Sequence, residues 1–236
     1  MLKLHTWSTQ NARKISIMLE ECGLDYEIEA INLEEDEQFQ DSFKLLNPNS
    51  KIPVLTDSEL TDELGKAEPI FETGAILLYL AEKSGQFLST NPAIRMRTIK
   101  WLFWQTSGLG PALGNFSHYA SALAKDEKQL NNYLLKTRAT DPNMQAIERF
   151  SKEVFRLLGV LNSVLQNNDY IAGEVSIADF ACYSWIESAW FGLQKINPQL
   201  SVQFANVHTW LDRLAARPGV SLGMEKLDWR KQLSSV

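Results

Sequence analysis

Alternating apolar and polar positions open the chain. Leu2-Lys3-Leu4-His5 puts apolar side chains on one face and polar ones on the other, the period of a short strand. The period then lengthens. Ile15, Met18, Leu19 and Cys22 fall at i, i+3, i+4 and i+7, the stripe of an amphipathic helix, and Gly23 is placed to end it. Alternation returns at Tyr26, Ile28 and Ala30, interleaved with Glu27 and Glu29, which predicts a second strand with one face in water. Strand, helix and strand in that order make a parallel crossover unit.

A further helix is predicted over 38–46, closed by Asn47-Pro48. KIPVLT then reads as a third strand, EPIFE as a fourth, and TGAILLYLAEKSG as a helix ended by Gly85. The order βαβ, α, ββα is the plan of an α/β thioredoxin-like domain, assigned to residues 1–86. Gln86 to Asn91 reads as a linker, and Pro92 opens the next helix. Beyond it the strand signal fades. Val154, Leu157, Leu158, Leu161 and Leu165 form one helical stripe; Val207, Trp210, Leu211 and Leu214 form another, closed by Arg217-Pro218-Gly219. Residues 92–236 are read as an all-α helical bundle. The polar, asparagine-rich segment 125–143 fits a long loop or a frayed helix.

Composition narrows the function classes. Hydrophobic residues make up 44% of the 236, enough for a proper core. The net charge is -6 and the lysines and arginines are dispersed, which argues against nucleic acid and against a polybasic membrane site. MLKLHTWSTQ contains no apolar run of signal length, and no stretch approaches a membrane span. Cys22 and Cys182 lie far apart and form no CxxC pair, so a disulfide framework is not expected and a reducing cytoplasm is. His5, His118 and His208 show no metal-ligand spacing, so no metal is expected.

Two short motifs carry candidate chemistry. In NPNSKIPVL a proline opens a strand, which suits an edge or an end because proline cannot donate to the ladder. A trans Ile52-Pro53 bond is the ordinary reading, since about 5–6% of X–Pro bonds in folded proteins are cis. A cis bond would turn the N–H and C=O of Ile52 outward, where an extended peptide can pair with them as an added strand. In FETGAILLYL, Thr73 reads as the N-cap of a helix, with Glu72 before it. A helix start offers free N–H groups and partial positive charge to a carboxylate, and a neighbouring glutamate can take an ammonium. Acid and amine together are the head of an amino acid; a plain capping turn is the alternative. In SIADF, Ser176 and Asp179 form a capping-box-like pair, each side chain able to satisfy a backbone N–H at the start of a buried helix.

Together these motifs fit the N-terminal half of a glutathione transferase, and the chain resembles the nu class of bacterial glutathione transferases. The resemblance runs through STQNARK, Gln38-Phe39, NSKIP, FETGAILLYLAEKSG, KWLFWQTSGLGPALG, the ERF around Arg149 and SIADFACYSW, with gaps at 57–68 and 125–143. It implies that Thr9 and Asn11 lie by the glutathione sulfur as the catalytic pair. It further implies that Gln38 contacts the peptide, that Lys51, Ile52 and Pro53 run along its backbone, and that Glu72 and Thr73 hold the γ-glutamyl end. Arg149 would reach a carboxylate from the helical domain, residues 92–236, which would form the second wall of the substrate site. The implied cosubstrate is glutathione, reduced or oxidised, and the implied reaction is reduction of small disulfides, with weak conjugation or peroxidase activity. A cytoplasmic homodimer without nucleic acid or membrane partners completes the expectation.

Many transferases place a tyrosine, serine or cysteine donor just after the first strand. Here no tyrosine or cysteine fills that slot, while Ser8 and Thr9 offer hydroxyls and Asn11 an amide. Cys22 sits on the core stripe of the first helix and Cys182 inside an apolar helix, so both read as packed and the sulfur chemistry is assigned to the ligand's own thiols. His118, read as part of a loop after GLGP, is a candidate for the substrate wall, and Trp101 and Trp104 for core or pocket wall. The rival reading is a noncatalytic regulatory or chaperone-like protein on the same scaffold. The presence of both Glu72 and Ile52-Pro53 favours the enzyme.

Overall fold

The computed structural model describes residues 1–123 and 142–227. They divide into two compact units, one of Met1–Arg95 with the chain from Arg213 on, the other of Met96–Asp212. The polar segment 125–143 falls outside the described residues except at its end, where Asn143 caps a helix.

The first unit is built on a three-stranded sheet of β1 (Leu2–Thr6), β2 (Tyr26–Ala30) and β3 (Val54–Asp57), ordered β2-β1-β3. β1 runs parallel to β2 and antiparallel to β3. Helix α1 (Gln10–Cys22) makes the crossover and buries Ala12, Ile15, Ile17, Met18 and Leu19. Gly23 ends it at φ 63°, a left-handed conformation that glycine adopts without a Cβ penalty, and its N–H returns to the carbonyl of Glu20 at 3.2 Å.

Two expected elements differ. The helix predicted over 38–46 is broken into a 3-10 turn at Glu37–Phe39 and a single turn, α2 (Asp41–Lys44), with Gln40 extended between them. Phe43 is buried but Phe39 is 54% exposed, so the apolar spacing there lacks the burial that would hold one continuous helix. The fourth strand shrinks to a single bridge in which Leu55 and Ile70 exchange two backbone hydrogen bonds of 2.9 and 2.8 Å. Pro69 has no N–H to extend the ladder, and three residues later Glu72, at φ 70°, turns the chain into α3 (Thr73–Ser84). The fully buried Asp57 ties β3 to α3, accepting from the Tyr79 hydroxyl at 2.6 Å and pairing with Lys83 Nζ at 2.8 Å. Burial opposes its ionisation, yet the bonds from Lys83 and Tyr79 hold its carboxyl below the usual range, while burial and Asp57 push Tyr79 up to about 12.

Among the described residues the second unit is all helix. After α4 (Pro92–Trp104), capped by Asn91, a π-helical turn at Gln105–Leu109 leads into α5 (Gly110–Ser121). The turn keeps Gln105 fully buried, and a Cβ at Gly110 would sit 2.9 Å from Gln105 Nε2, so the tight Gln105/Gly110 contact depends on glycine there. Next come α6 (Met144–Leu165), α7 (Ile177–Ile196), the short α8 (Leu200–Gln203) and α9 (Ala205–Ala215). Both predicted leucine-rich stripes are buried. Asp179 is the buried hub of α7's start. It accepts from Ser176 N, Ser176 Oγ and Ile171 N, and from Trp210 Nε1 at 2.9 Å.

The last described helix, α10 (Pro218–Lys226), packs on α1 within the first unit. Gly219 and Gly223 make the close approach. A Cβ at Gly223 would lie 2.4 Å from Ile17 Cα, and one at Gly219 2.8 Å from Glu21 Cα. Ser16 Oγ donates to the Gly223 carbonyl at 2.6 Å. The Glu21 carboxylate grips the Arg217 guanidinium and accepts from Val220 N–H at 3.1 Å, satisfying a donor in the first turn of α10.

Candidate active site

The expected site residues of the first unit gather at one end of its sheet. β1 ends beside the start of β3 through the His5–Val54 pair, and the Leu55–Ile70 bridge brings the approach to α3 alongside. α1 starts just after β1 and packs against α3. Thr9, the Lys51-Ile52-Pro53 run and Glu72-Thr73 therefore meet at this end by topology.

Thr9 occupies the N-cap of α1, its Oγ1 accepting from Ala12 N–H at 3.3 Å. That bond uses the oxygen and leaves the single hydroxyl proton to donate. Asn11 follows in the first turn and is half-buried. The loop before β3 is shaped by Asn47, whose side chain donates to the Lys51 carbonyl at 2.7 Å and accepts from Asn49 N–H at 2.9 Å. Lys51 itself is exposed. The Ile52-Pro53 bond is cis, the alternative to the ordinary reading. The β1–β3 ladder stops at Val54, so the backbone of Ile52 lies outside it, while the Ile52 side chain packs against the small core of Ile31, Phe43 and Val54. Gln38 is buried, and its Oε1 has no hydrogen-bond partner among the described residues.

At α3 the expected cap is displaced by one residue. Glu72, not Thr73, holds the N-cap position, and it makes no side-chain capping bond. Its φ of 70° and ψ of 115° lie where a non-glycine residue is strained, and the exposed carboxylate is carried at that point. Thr73 is the first helical residue and is buried, and its Oγ1 accepts from Lys14 Nζ at 3.2 Å. Lys14, 2% exposed on the apolar face of α1, was missed as a functional candidate. Its only sequence signal is a lysine four residues before Met18, where an apolar residue belongs. Glu72's backbone has no local signal at all.

Arg149 is exposed on α6, in the second unit. His118 lies within α5 rather than in a loop, set edge-on to Tyr119 at 5.1 Å, and Tyr119 stacks on Phe150. Its hydrogen-bonded helical backbone removes the loop position on which the substrate-wall reading rested. Trp101 and Trp104 pack edge-to-face at 5.0 Å. Burial pushes the Cys22 thiol up, with Ser84 Oγ 3.3 Å away, and Cys182 is fully buried. Among the described residues no cluster of histidine, cysteine or carboxylate side chains could hold a metal, and no helix is long and apolar enough to cross a membrane.

A βαβ crossover extended by an antiparallel third strand and α3 defines a thioredoxin-like domain, followed along the chain by a helical unit. Residues 10–83 match the glutathione S-transferase N-terminal domain and residues 119–218 the glutathione S-transferase C-terminal domain. The chain belongs to the glutathione S-transferase family. It is 39% identical over 227 residues to the disulfide-bond oxidoreductase YfcG of Escherichia coli, covering 96% of this chain and 95% of that protein. A glutathione transferase from Pseudomonas putida, solved with one glutathione disulfide per subunit, superposes with a TM-score of 0.79 at 36% identity, covering 94% of this chain and 90% of that one. Another, from Burkholderia graminis with two glutathione molecules per subunit, gives 0.80 at 34% identity, over 96% and 88%.

Proposed function

We propose that this protein is a glutathione-dependent disulfide reductase in which glutathione supplies both reacting sulfurs. The observation that carries the reading is the α3 start, an uncapped helix end with Glu72 held at φ 70° and buried Thr73 beside it. Such strain persists where the surroundings enforce it, and here it presents a carboxylate next to free helical N–H donors. Those two features match the ammonium and carboxylate of a γ-glutamyl head. Ile52, outside the ladder, suits the peptide backbone, and the orphaned Gln38 Oε1 suits a peptide donor. Thr9 and Asn11 are the donors to the sulfur, with Lys51 and Pro53 beside the peptide and Arg149 as a carboxylate contact from the helical unit. The relatives named above, one a disulfide-bond oxidoreductase and others holding glutathione or its disulfide, support the same reading.

In the reaction, one glutathione thiolate attacks a sulfur of the substrate disulfide. The S–S bond breaks, a mixed disulfide forms and one substrate thiolate leaves to take a proton. A second glutathione thiolate attacks the glutathione sulfur of the mixed disulfide, giving glutathione disulfide and the second substrate thiol. Two glutathiones are oxidised and one disulfide is reduced. The Thr9 hydroxyl, its oxygen already engaged by Ala12 N–H, has its proton for the thiolate and so favours the nucleophilic form. Neither protein cysteine is needed. We place the protein in the cytoplasm as a two-fold homodimer. Met96 and Phe103, seven residues apart on one face of α4 and 56% and 63% exposed, suit a subunit contact.

The test is steady-state reduction of a small dialkyl disulfide by glutathione. A Cys22→Ala, Cys182→Ala variant keeps most of its turnover, whereas Thr9→Ala loses more than the cysteine-free protein does. A folded but inactive cysteine-free protein would assign the chemistry to a protein thiol and overturn the reading.

A further inference from the structure

We propose that Lys14 is a positioning residue for the γ-glutamyl carboxylate of glutathione, acting through the hydroxyl of Thr73; the inference rests on the glutathione-binding reading above. Lysine is almost never fully buried without a partner. Lys14 is 2% exposed on the buried face of α1, with Nζ 3.2 Å from Thr73 Oγ1. An ammonium carries three protons and no lone pair, so in this contact Lys14 donates and Thr73 accepts. The threonine hydroxyl has one proton, and the ammonium occupies the side of the oxygen facing α1. The Thr73 proton is thereby turned away from Lys14.

The surroundings fix what that proton meets. Thr73 is the first residue of α3, whose opening N–H groups have no side-chain cap, so the neighbouring backbone groups are donors as well. A helix end, a hydroxyl held as a donor and a buried positive charge behind it all have one electrostatic sense. They recognise an anion, and a carboxylate beside an ammonium that Glu72 can take is the α-carbon end of a γ-glutamyl group. Lys14 does not touch the ligand in this scheme. It sets the polarity of the residue that does.

The experiment is calorimetry with two peptides, reduced glutathione and 4-aminobutanoyl-cysteinylglycine, which lacks only the α-carboxylate. Lys14→Met should weaken glutathione roughly 10- to 100-fold, the range of a lost hydrogen bond to a charged group, while changing the decarboxylated peptide by less than about threefold. Thr73→Val should behave alike, and the Lys14→Met, Thr73→Val double variant should be little weaker than either single, because both remove one coupled unit. In turnover, Lys14→Met should raise the KM for glutathione and leave kcat close to the parent. Lys14→Arg, keeping charge and donors, should recover most of the affinity. Should Lys14→Met not fold, Lys14→Gln takes its place. Equal weakening of both peptides would assign Lys14 a merely structural role and overturn the proposal, as would additive losses in the double variant. A parent protein that binds neither peptide would instead bring down the glutathione reading itself, and this inference with it.

Discussion

Replacing Asp179 by alanine tests whether the SIADF motif is a folding element. The carboxylate is fully buried and receives four donors, at 3.0 Å from Ile171 N, 3.0 Å from Ser176 N, 2.9 Å from Ser176 Oγ and 2.9 Å from Trp210 Nε1. The serine hydroxyl can rotate to another acceptor; the three N–H groups cannot. Each stranded buried donor costs about 1–3 kcal/mol, so their loss amounts to roughly 3–9 kcal/mol. Against this, burial pushes the carboxyl from its ordinary 3.8 up to about 6, the four bonds only partly offsetting it. Removing a charge held at that disadvantage returns about 3 kcal/mol at neutral pH, at about 1.4 kcal/mol per pH unit. The two opposing contributions leave a net loss centred on about 3 kcal/mol for Asp179→Ala. Asp179→Asn keeps one oxygen and strands a single N–H, so it should cost about 1 kcal/mol or less at neutrality. The folded pKa lies above the unfolded one, so between 3.8 and about 6 the native state binds the extra proton. The parent is therefore favoured at this site below that window, and loses the advantage as pH rises through it. The deficit of the always-neutral asparagine variant should shrink over the same rise. Urea unfolding followed by tryptophan fluorescence measures both effects. An alanine variant within about 0.5 kcal/mol of the parent, the range of an ordinary surface substitution, would refute the reasoning. So would a fully folded variant that had lost turnover.

Gly223→Ala should destabilise the first unit by roughly 1–3 kcal/mol or more, because the new methyl meets the α1 backbone rather than a side chain that can rotate away; a thermal melt unchanged from the parent would contradict the close approach. Light scattering should give twice the chain's mass at micromolar concentration, and Phe103→Glu should shift it towards one chain by placing a charge on the apolar face of α4; a parent at the mass of a single chain throughout would remove the homodimer.

Sequence and structure agree where local chemistry and burial point the same way. The stripe of Ile15, Met18 and Leu19 with Gly23 behind it marks α1 because periodicity, burial and the left-handed stop are all set within one segment. The 38–46 region failed because its spacing was right but Phe39 has nothing to pack on. The site divides the same way. Glu72, Thr73 and Ile52-Pro53 are visible as motifs, whereas the turn at Glu72 is imposed by the Leu55–Ile70 bridge on one side and α3 on the other. Lys14 faces Thr73 across 59 positions of sequence, and no window short enough to show helical period contains both. The same holds for Gly219 and Gly223. They advertise a close approach but cannot name α1 as the surface approached.

That last pairing bears on the order in which the protein is made. The ribosome releases the sheet and α1 early, and a domain ordinarily folds as soon as it has emerged. Here the face of α1 around Ile17 and Glu21 is covered by α10, which is synthesised some two hundred residues later. Until Gly223 leaves the exit tunnel the nascent domain must keep an apolar strip of its first helix open. A transcript truncated after the linker would encode the residues expected to hold the γ-glutamyl end without the helix that closes their support. The two ends of the gene would then have to be inherited, and varied, as a matched pair.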